Sequence, residues 1–393
     1  MSSPLPLKGI RVLEIARVLA GPYAGQTLAD LGADVVKVES PQGDDTRSWG
    51  PPFVMDKDGA NLGAGYYHSC NRGKRSIVAD FSKEENRLLT VKLASHADVV
   101  IENFKVGGLA KFGLDYDALK QINPKLIYCS ITGFGQNGPF AQRPGYDFII
   151  QGMGGVMSLT GAPDGEPQKA GVPVADLFTG IFSVIAIQAA LMRRQMTGQG
   201  AHIDMALLDC EVGVLVNQAM NYLTTGTPPA RLGNAHHNLA PYQVFKAADG
   251  HVIICVGNAS QFERLCAALN LPELAQDPQF NTNAKRVENR EALSERLSAA
   301  IILWSRDKLL GLLEDIGVSS GPINKLDEVF ANSQVIARGL QIEAQTDNGS
   351  PVPAVRSPIV IDGKPMANKR ASPGLDEHRK DILADPAWGG TSA

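Results

Sequence analysis

Short apolar runs alternate with longer mixed stretches along the first 130 residues. The runs have the length and composition of buried strands, and they are Ile10–Ile15, Ala33–Val38, Ser76–Ala79, Asp98–Ile101 and Leu126–Ile131. The stretches between them are long enough for helices. Strands that alternate with helices predict an α/β fold built on a parallel, doubly wound sheet.

Local signals predict where several helices begin. Pro22 suits the first turn of a helix and Gly32 suits its exit. Ser82–Glu85 is a capping box that predicts the next helix start. From Leu177 to Met192 the sequence is almost entirely apolar, which predicts a long helix that is buried on most sides.

The second half of the chain has a different character. Asn221–Asn238 is rich in Thr, Pro, Gly and Asn and is typical of a linker or loop. Two short strand patterns then flank Asp249-Gly250, a strong hairpin signal. Ser260–Glu263 is a second capping box, and helical periodicity continues to Ile316. These patterns predict a smaller α+β domain, followed after Pro351 by an extended arm that either packs on a partner subunit or is loose.

Size and charge exclude several classes of protein. A chain of 393 residues exceeds the usual limit of one hydrophobic core, so two domains are expected. With 44% apolar residues, 20% charged residues and a formal charge of −4, the chain has the balance of a soluble protein. It lacks the concentrated basic face that nucleic-acid binding requires. No run of about 20 unbroken apolar residues indicates a membrane span, and Met1–Lys8 has no signal-peptide core.

Cysteine and histidine spacing argues against metal or disulfide sites. The five cysteines are odd in number and far apart, which is typical of reduced thiols in a cytoplasmic protein. His236 and His237 are adjacent, so on a strand they would point in opposite directions and could not share one ion. We therefore expect no metal and a cytoplasmic location.

Asp176 is the most informative single residue. It places a charge where the long apolar helix begins, within Gly171–Gly180. Two interpretations stay open from this segment: a helix cap, which accepts the free N–H groups of the first turn, or a nucleophile held by the same groups. The strand ends carry no Gly-x-Gly-x-x-Gly and no phosphate-binding Gly-Lys-Ser/Thr, which disfavours a dinucleotide oxidoreductase.

Several segments, taken in order, resemble the class III CoA-transferases, the family that includes formyl-CoA transferase and the α-methylacyl-CoA racemases. The likeness covers nearly the whole chain, and its main segments are Arg17–Pro22, Leu31–Glu39, Gly43–Arg47, Asn71–Ser76, Glu102–Phe104, Ile131–Gly135, Gly171–Gly180, Gly198–Leu208 and Ala240–Gln243. Each segment alone is a weak signal, but their joint order is specific.

The resemblance implies a Rossmann-like large domain, a smaller middle domain and two subunits threaded through each other as an interlocked homodimer. In this sequence the domains would be residues 1–220 for the CoA-binding large domain, 221–320 for the small domain with its linkers, and 321–393 for a C-terminal segment that returns to the large domain. Coenzyme A and its thioesters would be substrates, with no bound prosthetic group.

The resemblance also implies residue roles. Asp176 would be the catalytic aspartate. Contacts with CoA would come from Val18, Ala20, Asn71, Arg72, Lys74, Asn103, Phe104, Lys111, Thr132 and Gly133. The chain departs from formyl-CoA transferase at Lys111, where that enzyme has an arginine, and at Leu19, where it has a glutamine. These departures, and the missing glycine run near 233–238, disfavour formate and oxalate as substrates.

The reaction that the resemblance implies is transfer of CoA through an aspartyl anhydride and an aspartyl-CoA thioester. The segments Gly43–Phe53, Tyr128–Gly133 and Gln142–Asp147 are most similar to the succinyl-CoA-dependent dicarboxylate branch, which includes succinate-hydroxymethylglutarate (glutarate) CoA-transferase. Succinyl-CoA would be the donor and a dicarboxylate such as glutarate the acceptor. A second carboxylate needs a polar or cationic partner, and the candidates are Arg47, Arg143, Tyr146, His236 and His237.

Two alternatives remain at this point. Racemases of the family have a histidine in the segment that here reads Pro144–Asp147. Tyr146 stands there instead, and a phenol is a poor base near neutrality, so the sequence favours transfer over racemisation. A CoA-binding protein without catalysis is the other alternative, and the aspartate at position 176 speaks against it.

Overall fold

The structure, a computed structural model, describes residues 5–390, so the prediction for Met1–Lys8 falls partly outside it. Contacts divide the chain into two compact units. The described residues of the first unit lie within Met1–Gly155, Ala170–Val216 and Ser333–Ala393, and the second unit comprises Val156–Lys169 and Asn217–Asn332.

The first unit is built on the predicted parallel sheet. The strands of the first 206 residues are β1 Arg11–Glu14, β2 Asp34–Glu39, β3 Phe53–Met55, β4 Asn61–Ala64, β5 Arg75–Val78, β6 Val99–Glu102, β7 Ile127–Thr132 and β8 Ala201–Ala206. Six of them form one sheet in the order β5-β2-β1-β6-β7-β8, and every neighbouring pair is parallel. β3 and β4 form a separate antiparallel hairpin. The α/β prediction is confirmed.

Helices connect these strands. They are α1 Ala20–Asp30, α2 Gly65–His68, α3 Glu84–His96, α4 Tyr116–Ile122, α5 Asp147–Met153, α6 Val156–Leu159, α7 Val174–Thr197, α8 Leu207–Gly213 and α9 Val216–Thr225. Because β1 has β2 on one side and β6 on the other, the strand order reverses at β1. Open parallel sheets bind ligands beyond the carboxyl ends of the strands at such a reversal.

Alternate residues of each strand face opposite sides of the sheet and belong to two apolar cores. Val12 and Val99 pack in one core with residues of α1 and α7. Their neighbours Leu13 and Val100 pack in the other, with residues of α3 and with Trp388. The sheet is therefore covered on both faces, as its continuous apolar strands predict.

Helix α7 departs from the prediction that it is buried on most sides. One face is buried against α1, where a Cβ added to Gly180 would lie 2.8 Å from the carbonyl oxygen of Ala20. The opposite face is exposed and apolar, and includes Phe178, Ile181, Phe182 and Ile185. The apolar sequence of α7 thus exceeds what its own chain covers. With 24 residues and a mean hydropathy of 1.9, α7 is also long and apolar enough to cross a membrane, by length and composition only.

The second unit contains an antiparallel sheet in the order β11-β10-β9 and several helices. Its remaining elements are β9 Tyr242–Ala247, β10 Gly250–Cys255, α10 Ala259–Ala268, α11 Glu273–Gln276, α12 Asn283–Glu288, α13 Arg290–Ile301, α14 Arg306–Asp315, β11 Ser319–Pro322 and α15 Leu326–Ala331. The hairpin predicted at Asp249-Gly250 is confirmed, because β9 and β10 pair with Ala247 opposite Gly250. Phe245, Leu265 and Leu297 lie in the core of this unit.

Both predicted capping boxes are displaced. Helix α3 begins at Glu84, and the Ser82 hydroxyl donates instead to Oδ1 of Asp80 at 2.7 Å. Helix α10 begins at Ala259, and its cap is Asn258, whose side chain accepts the N–H of Gln261 at 2.9 Å. In each case a nearby side chain of the same polar class competes for the same backbone groups.

The C-terminal segment contains α16 Ser333–Ala337, β12 Gln341–Gln345, β13 Pro351–Val355, β14 Val360–Ile361, β15 Lys364–Pro365 and α17 Arg379–Ala384. Its last residues pack on the β5 edge of the sheet. His378 Nδ1 accepts the N–H of Ser76 at 3.2 Å, and Trp388 Nε1 donates to Asp34 at 2.7 Å. The tail after Pro351 therefore packs on its own chain.

Candidate active site

A cavity of about 480 Å³ opens beyond the carboxyl ends of β1, β6 and β7, where the strand order reverses. Its walls come from the loop after β1, the loop after β6, the end of β7 and the segment before α5. Asp176 and Leu207 complete it. The full lining is Arg17, Val18, Leu19, Ala20, Asn103, Phe104, Lys105, Val106, Gly108, Lys111, Phe112, Ile131, Thr132, Gly133, Ala141, Gln142, Arg143, Pro144, Gly145, Tyr146, Asp176 and Leu207.

Asp176 lies in the first turn of α7 but does not cap the helix. The helix begins at Val174 with Pro173 at the cap position. The capping carboxylate comes from Asp147, whose Oδ1 accepts the N–H of Ala175 at 2.9 Å and that of Asp176 at 3.4 Å. Of the two interpretations left open by the sequence, the cap therefore falls to a different aspartate.

The carboxylate of Asp176 remains available. Among residues 5–390, no donor forms a hydrogen bond with it, and it contributes to the cavity wall. Burial raises the pKa of Asp176 to about 7, and the nearby charge of Asp147 adds to this effect. A weakly solvated carboxylate with a raised pKa is a better nucleophile than an ordinary surface aspartate, and such groups cluster at functional sites.

Asp147 is in turn held in place by Gln151. Nε2 of Gln151 donates to Oδ2 of Asp147 at 2.7 Å, and its Oε1 accepts the N–H of Ala170 at 2.9 Å. The fully buried amide of Gln151 thus connects the start of α5 with the segment that leads into α7. This arrangement fixes the distance between the two aspartates.

The cavity is strongly cationic. Among the described lining residues, Arg17, Lys105, Lys111 and Arg143 carry positive charge, and Asp176 is the one carboxylate. Arg143 lies over the Phe140 ring, with 4.6 Å between its Cζ and the ring centroid. Such a cavity favours a ligand with several negative charges.

Two glycines bring the walls together. A Cβ on Gly133 would lie 2.6 Å from Cα of Gly145, and one on Gly145 would collide with Gly133 in the same way. The end of β7 and the segment before α5 therefore touch backbone to backbone, which requires glycine at both positions.

Beneath the cavity, Glu102 supports the loop after β6. Its Oε2 accepts the N–H of Phe104 at 2.7 Å. Burial raises the pKa of Glu102 to about 7, against the opposing effect of hydrogen bonds from Ser130 and Phe104.

Seven of the ten residues predicted to contact CoA line this cavity. They are Val18, Ala20, Asn103, Phe104, Lys111, Thr132 and Gly133. The side-chain amide of Asn103 is already engaged, because it accepts the N–H of Arg17 at 3.0 Å and donates to the Arg17 carbonyl at 2.7 Å.

The other three, Asn71, Arg72 and Lys74, are buried and do not line it. Arg72 pairs with Asp30, and Lys74 pairs with Glu14 at 2.8 Å. Asn71 donates to the Tyr67 carbonyl at 2.9 Å and accepts from Lys74 at 2.8 Å. Contact of these side chains with the adenosine or the phosphates would require this network to open, because each is at most 2% exposed.

The residues predicted to bind the acid are divided. Arg143 and Tyr146 line the cavity. Arg47 does not; it forms a bidentate pair with Glu39 at 2.9 and 2.7 Å and lies over the Tyr67 ring. In the second unit, the His236 ring packs on Tyr242, and His237 bonds with Gln218 and the Ala230 carbonyl.

Sequence reasoning assigned no role to Arg17 or Asp147, although both lie in the motifs it used. Arg17 follows β1 directly, and a cation just past a strand end at the point of reversal is a signal that could have been used. Asp147 lies 29 residues before Asp176, and nothing in the sequence relates the two.

Comparison with known proteins agrees with this geometry. The model of CoA-transferase family III matches residues 7–379. The chain belongs to CoA-transferase family III. It is 56% identical over 381 residues to the succinate–glutarate CoA-transferase of Agrobacterium fabrum, covering 97% of this chain and 95% of the relative. It is 43% identical to the succinyl-CoA:glutarate CoA-transferase of Mus musculus, covering 97% of this chain and 86% of the relative.

Among solved structures, a CaiB/BaiF family protein from Brucella suis superposes with a TM-score of 0.87 at 57% identity, covering 97% of this chain and 99% of that one. The family and the fold class predicted from the motifs are confirmed, and the chain is a CoA-transferase that acts on CoA thioesters.

Proposed function

We propose that this CoA-transferase moves CoA from succinyl-CoA to glutarate or a similar dicarboxylate, with Asp176 as the nucleophile. The observation that carries the proposal is the uncapped Asp176 carboxylate in the wall of a cationic cavity, with its pKa raised to about 7. The substrates are supported by the 56% identical relative named for succinate and glutarate.

In the first half of the reaction, a carboxylate oxygen of Asp176 attacks the thioester carbon of succinyl-CoA. The C–S bond breaks, the CoA thiolate leaves, and a mixed anhydride links succinate to Asp176. The thiolate then attacks the aspartyl carbonyl, which releases succinate and leaves CoA on Asp176 as a thioester. Each step exchanges acyl groups of similar reactivity, which divides the overall transfer into easier stages.

In the second half, the acceptor carboxylate attacks the aspartyl thioester and releases thiolate again. The thiolate attacks the acyl carbon of the new anhydride, forming the product thioester and restoring Asp176. The N–H groups of the cavity loops are suited to stabilise the oxyanions, since they are fixed before the reaction begins.

Arg143 is our candidate for the distal carboxylate of the acid. It lines the cavity, and no carboxylate pairs with it among the described residues. A guanidinium group matches a carboxylate in a bidentate geometry. Tyr146, which also lines the cavity, is positioned to support it. Arg47 is less suited because its guanidinium group already binds Glu39.

We further propose that the chain works as an interlocked homodimer in the cytoplasm. The exposed apolar face of α7 and the terminal position of β8 in the sheet support an obligate partner surface. The five free thiols are compatible with a reducing compartment. Light scattering after size exclusion would test the dimer, and a monomer at micromolar concentration would contradict it.

Mass spectrometry tests the proposed chemistry directly. After incubation with succinyl-CoA and rapid digestion, the peptide that contains Asp176 should carry CoA in thioester linkage. An unmodified peptide during steady turnover would exclude the covalent route. Exchange of the α-hydrogen of a branched acyl-CoA, measured in D₂O, would instead indicate a racemase.

A further inference from the structure

Val18 adopts a backbone conformation that its side chain disfavours. Its φ angle is +71°, in the left-handed region, where a β-branched residue is a clear outlier. Val18 lies between the end of β1 and the start of α1 and lines the cavity. Strain of this kind persists only where the surroundings impose it, and it is common at functional sites.

Both peptide groups next to this angle are held. The N–H of Val18 lies between the two carboxylate oxygens of Asp44, at 3.3 and 3.2 Å. The Val18 carbonyl accepts a weak hydrogen bond from Sγ of Cys70 at 3.5 Å. The preceding residue, Arg17, is clamped on both sides by the Asn103 amide.

Asp44 is itself fixed and charged. It is only 3% exposed. Its Oδ2 pairs with Nζ of Lys37 at 3.0 Å, and its Oδ1 accepts from the Thr46 N–H at 3.0 Å and the Thr46 hydroxyl at 2.7 Å. Burial alone would raise the pKa of Asp44, but the Lys37 charge and the Thr46 hydrogen bonds hold it below its usual value.

Lys37 connects this carboxylate to the end of β1. Its Nζ also donates to Glu14 at 3.0 Å and to the Ala16 carbonyl at 2.8 Å, and the ammonium group is fully buried. The network therefore grips the chain on both sides of the bend, at Ala16 and at Val18. A buried ion pair is by itself weak evidence of stability, so its geometry deserves a separate explanation.

We propose that Asp44 is a positioning residue that holds Val18 in its left-handed conformation and thereby sets the shape of the loop on which the acyl-CoA substrate docks. The inference rests on the proposed function, in which this cavity takes the acyl-CoA. Without the carboxylate, Val18 returns to a negative φ, which rotates the following peptide and displaces the entry into α1. Both oxygens of Asp44 face N–H, O–H or ammonium donors, so an amide at this position would turn an NH₂ group toward another donor.

The test is a double-mutant cycle between Asp44 and Val18. Asp44→Ala should raise KM for succinyl-CoA, and Kd for free CoA by calorimetry, by roughly tenfold, with a smaller change in kcat. Val18→Gly in the Asp44→Ala background should restore most of the affinity, because glycine adopts φ +71° without strain. Val18→Ala in that background should not restore it, although it removes nearly the same side chain.

Asp58→Asn is the matched control, since Asp58 is an exposed carboxylate of the same region, and it should leave both constants unchanged. Equal affinities for the glycine and alanine double variants, or unchanged affinity in Asp44→Ala, would overturn the inference. Failure of the proposed function looks different: wild-type protein would then bind no CoA and form no adduct.

If Asp44→Ala does not fold, the single variants still decide the matter. At an ordinary position alanine gives a more stable protein than glycine. At a strained left-handed position the order reverses, so Val18→Gly should melt above Val18→Ala. The opposite order would show that no strain is stored at Val18 and would remove the basis of the proposal.

Discussion

Asp147 caps the helix that carries Asp176, and the two carboxylates belong to one electrostatic unit. The Asp147 side chain accepts the first N–H groups of α7, including that of Asp176 itself at 3.4 Å. The helix start is therefore satisfied without Asp176, and the second negative charge helps to raise the pKa of Asp176 to about 7. One aspartate does the structural work, which leaves the other for chemistry.

Replacement of Asp176 tests the proposed nucleophile. Asp176→Asn should lower kcat for succinyl-CoA and glutarate by roughly a thousandfold or more, because an amide cannot form the anhydride. Calorimetry should still detect CoA binding, which shows that the cavity is intact. Exchange of acids at the wild-type rate would contradict covalent catalysis by this residue.

The pH profile should report the ionisation of Asp176. The ionised form attacks, so kcat/KM should rise with pH and level off above about 7. Asp147→Asn keeps an acceptor for the helix N–H groups but removes a negative charge, so it should move the midpoint to lower pH.

The same variant separates Asp176 from Glu102, which also titrates near 7 but does not depend on Asp147. Asp58→Asn, which removes an exposed charge, should leave the midpoint in place. An unchanged midpoint in Asp147→Asn would assign the ionisation to another group.

Stability should depend on pH through Asp176. The pKa of the folded state lies above that of an unfolded aspartate, so ionisation costs more in the folded protein and this group lowers stability as pH rises from about 4 to about 7. Asp176→Asn removes that cost. Its Tm should exceed the wild-type Tm by roughly 2–4 °C at pH 8, with a much smaller gap at pH 5. A gap that is equal at both pH values would contradict the raised pKa.

Arg143 and Arg47 should behave differently when replaced by alanine. Arg143→Ala should raise KM for glutarate by about tenfold or more, but not KM for butyrate, which lacks the second carboxylate. Its Tm should not change, because the side chain is exposed.

Arg47→Ala leaves Glu39 buried without its partner, which should cost about 3 kcal/mol of stability and affect both acids equally. Denaturant unfolding and steady-state kinetics of the two variants check both statements. Equal effects of Arg143→Ala on the two acids would remove it as the carboxylate-binding residue.

Gly145 should not tolerate a side chain. In Gly145→Ala the new Cβ collides with the Gly133 backbone, so the cavity wall must move and kcat/KM should fall by about tenfold or more. Gly171→Ala is a suitable control, since a Cβ there meets no atom within 4 Å. A Gly145→Ala enzyme with wild-type kinetics would show that the wall has no fixed position.

The sequence by itself determined the parallel sheet, the hairpin at Asp249-Gly250 and the family, because periodicity, turn residues and ordered motifs are local along the chain. It also singled out Asp176. It misplaced both capping boxes, since neighbouring polar side chains compete for the same N–H groups and only the packed helix selects one.

Only the tertiary structure decided that Asp147 caps α7, that Asp44 and Lys37 hold Val18, and that Arg72 and Lys74 are buried in ion pairs. The physical reason is the same each time. A charged side chain has no preferred partner in the sequence, and its role depends on which groups the fold brings within about 3 Å and on how much water it excludes around them.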